Sequence, residues 1–211
     1  MKNLYKTKDK IYGYIGIIYY LILLISFGIM GKLYKAGWNN YRIIYWILFI
    51  VAIIIVLAKD KNFTNLGFSN VNLKVNLLIM WGIILLTFAL SIFISDLSLA
   101  KLFKGTVYYL FKIAVVEEII FRGFLQNYLF GFNLNKKWVY IIGGICFSLM
   151  HLPFQMYVHN MESATYIIFA LPQLLFTFFF HLIMCFITYK RKDVTIPIAL
   201  HYAINFLQNV L

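Results

Sequence analysis

The segment "KIAVVEEIIFRGFLQNYLFGF", residues 112–132, decides how this chain is read. It is apolar enough to lie in a bilayer, yet it carries Glu117, Glu118 and Arg122. A charge placed in hydrocarbon costs roughly 2.5–3.5 kcal/mol on insertion scales, so something must hold three of them there. On a helix, Glu118 and Arg122 stand four residues apart on one face and can pair. Glu117 is turned about 100° away from Glu118 and has no cation three or four residues distant. An ion pair accounts for Glu118 and Arg122 as structural glue. It does not account for Glu117, and a carboxylate left over in such a place suits a general base.

The rest of the chain matches the segment. Of 211 residues, 63% are hydrophobic and 12% charged, against about 45–50% and about 25% in soluble domains. A water-soluble core does not explain that surplus, so the expected class is an integral membrane protein, all-α, one membrane domain over residues 1–211. The length holds about six to eight spans of roughly 20 residues. Apolar runs place seven, at about residues 11–30, 42–58, 75–95, 106–131, 138–153, 164–189 and 195–211. The fifth is expected to stop near Pro153 and the sixth to kink at Pro172. The N-terminal run follows a basic lead, but "FGIMGKLYKAG" has no clean small-residue cleavage site, so it is read as a retained first helix.

The net charge of +12 would point to nucleic acid in a soluble protein. Here the lysines fall between apolar runs, as membrane topology requires, and no nucleic-acid partner is expected; the partners are lipid and a substrate at the membrane. Taking alternate gaps, twelve Lys and Arg lie on the side of the N-terminus, Lys2 among them, and five on the other, Lys32, Lys35, Arg42, Lys101 and Lys104. That bias predicts a cytoplasmic N-terminus in a plasma membrane. The sixteen tyrosines sit largely near span ends, where aromatic anchors belong. Cys146 and Cys185 lie in apolar runs, without metal-ligand spacing, and no disulfide is expected.

Five of the seven acids, Asp9, Asp60, Asp96, Glu162 and Asp193, fall in gaps. Of four histidines, His159 reads as a solvated loop residue and His181 as a packing or hydrogen-bonding residue deep in the sixth span. His151 closes "FSLMH", one turn after Phe147; His201 opens "HYAIN", one turn before Asn205. Stacked hydrogen-bonding side chains on a membrane helix point to a shared polar partner. Interhelical glue, worth about 0.6–2 kcal/mol each, explains either one alone, and explains both less well beside Glu117.

"EEIIFR", "FSLMH" and "HYAIN" fit EExxxR, FxxxH and HxxxN, in that order and on separate spans. Over about residues 106–211 the chain resembles the CAAX protease and bacteriocin-processing (Abi) family of intramembrane endopeptidases. The resemblance implies peptide-bond hydrolysis at a site between spans 4, 5 and 7. By the family's pattern Glu117 and His151 activate a water, His201 and Asn205 stabilise the oxyanion, and Glu118 and Arg122 organise the site. A zinc ion held by Glu117, His151 and His201 as a His2Glu set is the alternative to a metal-free glutamate mechanism. The Lys-, Asn-, Ile- and Tyr-rich composition resembles bacteria with AT-rich genomes, and there a peptide pheromone, bacteriocin precursor or membrane regulator is the expected substrate. Two other functions compete: a non-catalytic self-immunity or scaffold protein on the same fold, and an ion-coupled transporter. Charges confined to one span, with no interrupted helices in paired halves, disfavour the transporter.

Overall fold

The computed structural model describes residues 4–6 and 8–210; Lys2, counted above, lies outside them. The described residues form seven main helices and no strand. They are α1 (Lys10–Lys35), α2 (Ile43–Asp60), α3 (Leu73–Ile94), α4 (residues 99–132), α5 (Lys136–His159), α6 (Ser163–Arg191) and α7 (Thr195–Val210). The chain is a polytopic, all-α membrane protein. Five of the helices, α1, α2, α3, α5 and α6, are long and apolar enough to cross a bilayer. The two that fall short have physical reasons. α4 carries Lys112, Glu117, Glu118 and Arg122 within a few turns, and α7 has only 16 residues.

Burial separates those two from the others. Every residue from 116 to 131 of α4 is buried. The outer helices instead turn large apolar side chains outward, Phe93 at 86% exposure and Ile168 at 76% among them. Water would penalise such a surface; lipid accepts it, and the backbone polar groups are satisfied within each helix. α4 is therefore the axis of the bundle. α1 packs on its far end and on the second half of α5, α7 lies against α3 and the first half of α4, and α5 packs along α6.

Local chemistry sets the ends. Asn133 and Asn160 close α4 and α5 in the left-handed conformation, at φ 54° and 53°, where asparagine is tolerated. Asn135 caps α5 by accepting from the Lys137 N–H at 3.0 Å. Asp193 sits in a gap, as expected, but it is fully buried and structural: it accepts from the N–H of Thr195 at 2.7 Å and of Ser69 at 3.1 Å. Asp60, at the end of α2, accepts from Tyr12 of α1 at 2.8 Å and Tyr128 of α4 at 2.9 Å.

Two boundaries differ from expectation. α4 begins at Leu99, a full turn and more before the apolar run. α5 does not stop near Pro153. It breaks at Met150 and resumes from His151 to His159. Proline lacks an N–H and its ring collides with the carbonyl four residues back, so the strain falls just before it, while Pro153 itself sits in the first turn of the new segment, where it is tolerated. His159 consequently ends a helix rather than lying in a loop, exposed and stacked on Tyr166 at 5.4 Å.

Candidate active site

The two glutamates lie between two wide turns. Residues Tyr108–Ala114 and Ile119–Leu125 are π-helical, with Val115–Glu118 regular between them. Such turns carry an extra residue and re-aim side chains, and they recur at functional sites. Behind the second turn the chain packs without slack. Gly123 abuts the main chain of Leu66, where a methyl group would collide with the Leu66 carbonyl.

Glu118 and Arg122 form the expected pair, at 3.0 Å and fully buried. The guanidinium lies 3.9 Å from the Phe147 ring centre, so its face is covered by an aromatic ring as well as neutralised by an acid. The sequence did not reveal what joins this pair. His201 Nδ1 lies 2.7 Å from the same Glu118 oxygen, and its Nε2 lies 3.7 Å from Glu117 Oε2. The imidazole of α7 thus stands between the two carboxylates of α4. It is fixed on one side by a hydrogen bond and open on the other by a gap too long for one.

His151 comes to this place from the break in α5. Its ring meets Phe147 edge-on at 5.5 Å, and Phe147 in turn meets His201 at 6.3 Å. His151 Nε2 is buried and has no hydrogen-bond partner. Asn205 donates one N–H to the main-chain carbonyl of His201 at 3.2 Å, leaving the second N–H of its amide uncommitted. Glu117, His151, His201 and Asn205 all line one cavity of about 430 Å³ beside Pro172 and Gln173 of α6. A second lobe of about 400 Å³ shares Glu117, His151 and Asn205 with it and runs out between α1, α2, α4 and α5. The depth difference between His151, late in α5, and His201, early in α7, does not keep them apart. α5 continues past Pro153, and both side chains reach the same cavity.

Among the described residues no group of three or more His, Cys, Asp or Glu side chains is placed to hold a metal ion.

Some supporting residues carry no motif signal. Gln126 accepts from His181 Nε2 at 2.9 Å through its Oε1 and donates from its Nε2 to the Val139 carbonyl at 3.2 Å. His181 is therefore a buried hydrogen-bonding residue. Cys185 lies 3.2 Å from the same nitrogen, and both cysteines are free and buried. Tyr5 donates from its hydroxyl to the Arg122 carbonyl at 3.0 Å, tying the N-terminal segment to the second wide turn. Only the run of polar residues Arg122, Gln126 and Asn127 hinted that this part of α4 faces partners rather than lipid.

Residues 99–207, just over half of the chain, match the family described as type II CAAX prenyl endopeptidase Rce1-like. No curated protein and no solved structure matches the chain.

Proposed function

This chain belongs to the Rce1-like family of type II CAAX prenyl endopeptidases, and from that premise we propose that it hydrolyses a peptide bond near the membrane in a peptide precursor or protein tail, using a water activated by glutamate. The observation that carries the reading is the position of His201 between Glu117 and Glu118, at the wall of the cavity that His151 and Asn205 also line. Water enters beside Glu117, which takes its proton as the oxygen attacks the scissile carbonyl. His151, with a free ring nitrogen facing no protein partner, orients that water. The oxyanion of the tetrahedral intermediate is met by His201 Nε2–H and the second N–H of Asn205; a preorganised donor of this kind is worth about 2.7–4 kcal/mol. Glu117 then returns the proton to the leaving amine. Glu118 and Arg122 do not touch substrate in this scheme. Glu118 holds the His201 ring by its Nδ1, and Arg122 neutralises Glu118.

The charge bias of the loops supports a cytoplasmic N-terminus, and the Lys-, Asn-, Ile- and Tyr-rich composition supports a bacterial plasma membrane, with exported or membrane-bound peptides as substrates. The lobe that leads out of the site continues, through Tyr41 and Arg42, into an open cavity of about 720 Å³ at the α1–α2 and α5–α6 loops. In that orientation the entrance faces away from the cytoplasm.

The test is to compare membrane peptides in cells carrying the unsubstituted chain and Glu117→Gln. Longer precursors should accumulate in the variant. Identical peptide profiles, with an immunity or signalling phenotype that survives the substitution, would favour a protein that acts by binding alone.

A further inference from the structure

The sixth helix carries no motif, yet it brings an amide to the centre of the site. The two lobes of the cavity share five lining residues, Ile113, Glu117, His151, Gln173 and Asn205. Glu117, His151 and Asn205 already have roles in the scheme above, and Ile113 is apolar. Gln173 stands about 15 Å along α6 from Ser163, at 1.5 Å per residue, a depth at which hydrocarbon surrounds the bundle. Its side chain is exposed, and among the described residues its amide makes no hydrogen bond. Its bonds are those of the main chain, the carbonyl accepting from the Thr177 hydroxyl at 2.9 Å.

A role in holding the helices together does not account for it. Gln126 and Gln155 are glue of that kind, bonded to His181 at 2.9 Å and to the Tyr166 hydroxyl at 2.7 Å. The Gln173 amide reaches no other helix among the described residues. Nor does it repair α6 at Pro172. Proline offers no N–H to the turn before it, and the carbonyls that follow are met by hydroxyls, that of Gln173 by Thr177 and that of Leu174 by Ser148 at 2.6 Å. A free amide at bilayer depth, facing a cavity, serves water or an incoming ligand.

A peptide bond must leave any regular helix to be cut, because there its N–H and C=O are paired within the segment. Once extended at membrane depth, those groups need new partners. The Gln173 side chain offers an acceptor oxygen and two N–H donors, the complement of a peptide group. A chain that runs from one lobe into the other passes Gln173 beside Glu117, His151 and Asn205. We propose that Gln173 is a substrate-binding residue, which pairs its amide with the main chain of the extended peptide next to the scissile bond. The proposal rests on the hydrolytic reading of the site. Gln173 moves no proton and reads no side chain, so it adds affinity without sequence preference.

The probe is a fluorescein-labelled nonapeptide of leucine and alanine, with analogues in which one backbone N–H at a time is replaced by an ester oxygen. Binding is measured on the full Glu117→Gln chain in phosphatidylcholine vesicles, with and without Gln173→Met, which keeps the length of the side chain and removes its hydrogen bonds. At least one ester should bind about 3–10-fold more weakly than the peptide, the range of a single hydrogen bond, and that difference should fall below about twofold with Gln173→Met. On the chain with Glu117 intact, Gln173→Met should raise KM about 3–10-fold and leave kcat within about twofold. Esters that all bind like the peptide overturn the proposal without recourse to any variant of Gln173. So does an ester effect that Gln173→Met leaves unchanged, and so does a peptide that does not bind. A fall in kcat with KM and the ester effects unchanged makes the amide a ligand of the attacking water, and overturns the proposal too. If ester and Gln173→Met effects are coupled in binding but the chain with Glu117 intact cuts none of the peptides, the Gln173 contact stands and the hydrolytic reading fails.

Discussion

His201 Nδ1 lies 2.7 Å from Glu118 Oε1, and that oxygen is also the one 3.0 Å from Arg122 Nη1. One carboxylate oxygen on α4 therefore fixes both a cation of its own helix and the imidazole of another. His201, held by that linkage, lines the cavity.

The linkage predicts an asymmetry in stability. Glu118→Ala leaves the Arg122 guanidinium buried and uncompensated, a loss of about 3–5 kcal/mol. Glu118→Leu with Arg122→Met removes both charges and should restore most of that stability, while cleavage stays absent because His201 has lost its anchor. Unfolding in detergent micelles, run beside a cleavage assay, separates the two effects. A double variant as unstable as Glu118→Ala would contradict the linkage.

The buried cap of α7 gives a second expectation. Asp193→Ala strips acceptors from the N–H groups of Thr195 and Ser69. The loss should be about 1–2 kcal/mol, with a fall in activity beyond what the remaining folded fraction explains, because α7 carries His201. Asp193→Asn keeps one acceptor but sets its amide NH2 against the second N–H, so it should recover only part of both.

Glycine substitutions sort by what surrounds them. Gly123→Ala drives a methyl group into the Leu66 carbonyl and should unseat the turn at Thr64–Leu66 from α4. Gly82, inside α3, has open space around it. Gly82→Ala should be neutral or stabilising by up to about 1 kcal/mol. Thermal unfolding of the two variants tests the close packing directly; equal midpoints would argue that the Leu66 contact carries no weight.

Much of this could be read before folding. Runs of apolar residues on the scale of a bilayer located the helices, because in lipid the backbone must satisfy itself within each segment. The four-residue spacing of Glu118 and Arg122 announced their pair, since that contact is local to one helix. What stayed hidden depends on distant parts of the chain or on small departures from regular geometry. His201 is 83 residues from Glu118, and nothing in either neighbourhood states that they meet. The wide turns flanking Glu117 leave no compositional trace, and the seat of Gly123 against Leu66 is equally silent. Asp193 looks like any loop acid until its two amide donors are seen.

Orientation has its own test. In a chain with Cys146 and Cys185 replaced by serine, cysteine is introduced at Trp38, in the α1–α2 loop, or at Lys61, after α2. A membrane-impermeant maleimide applied to intact bacteria should label Trp38→Cys and spare Lys61→Cys. The reverse pattern would place the entrance to the cavity on the cytoplasmic side.

The central claim is that Glu117 activates the water that splits the peptide bond. The most direct measurement is the cleavage rate of one membrane peptide by the purified chain and by Glu117→Gln, reconstituted side by side and checked for equal unfolding midpoints. General-base catalysis predicts a fall of about 10²–10⁴-fold with the fold intact. A Glu117→Gln chain that cuts within a few-fold of the unsubstituted rate would contradict it.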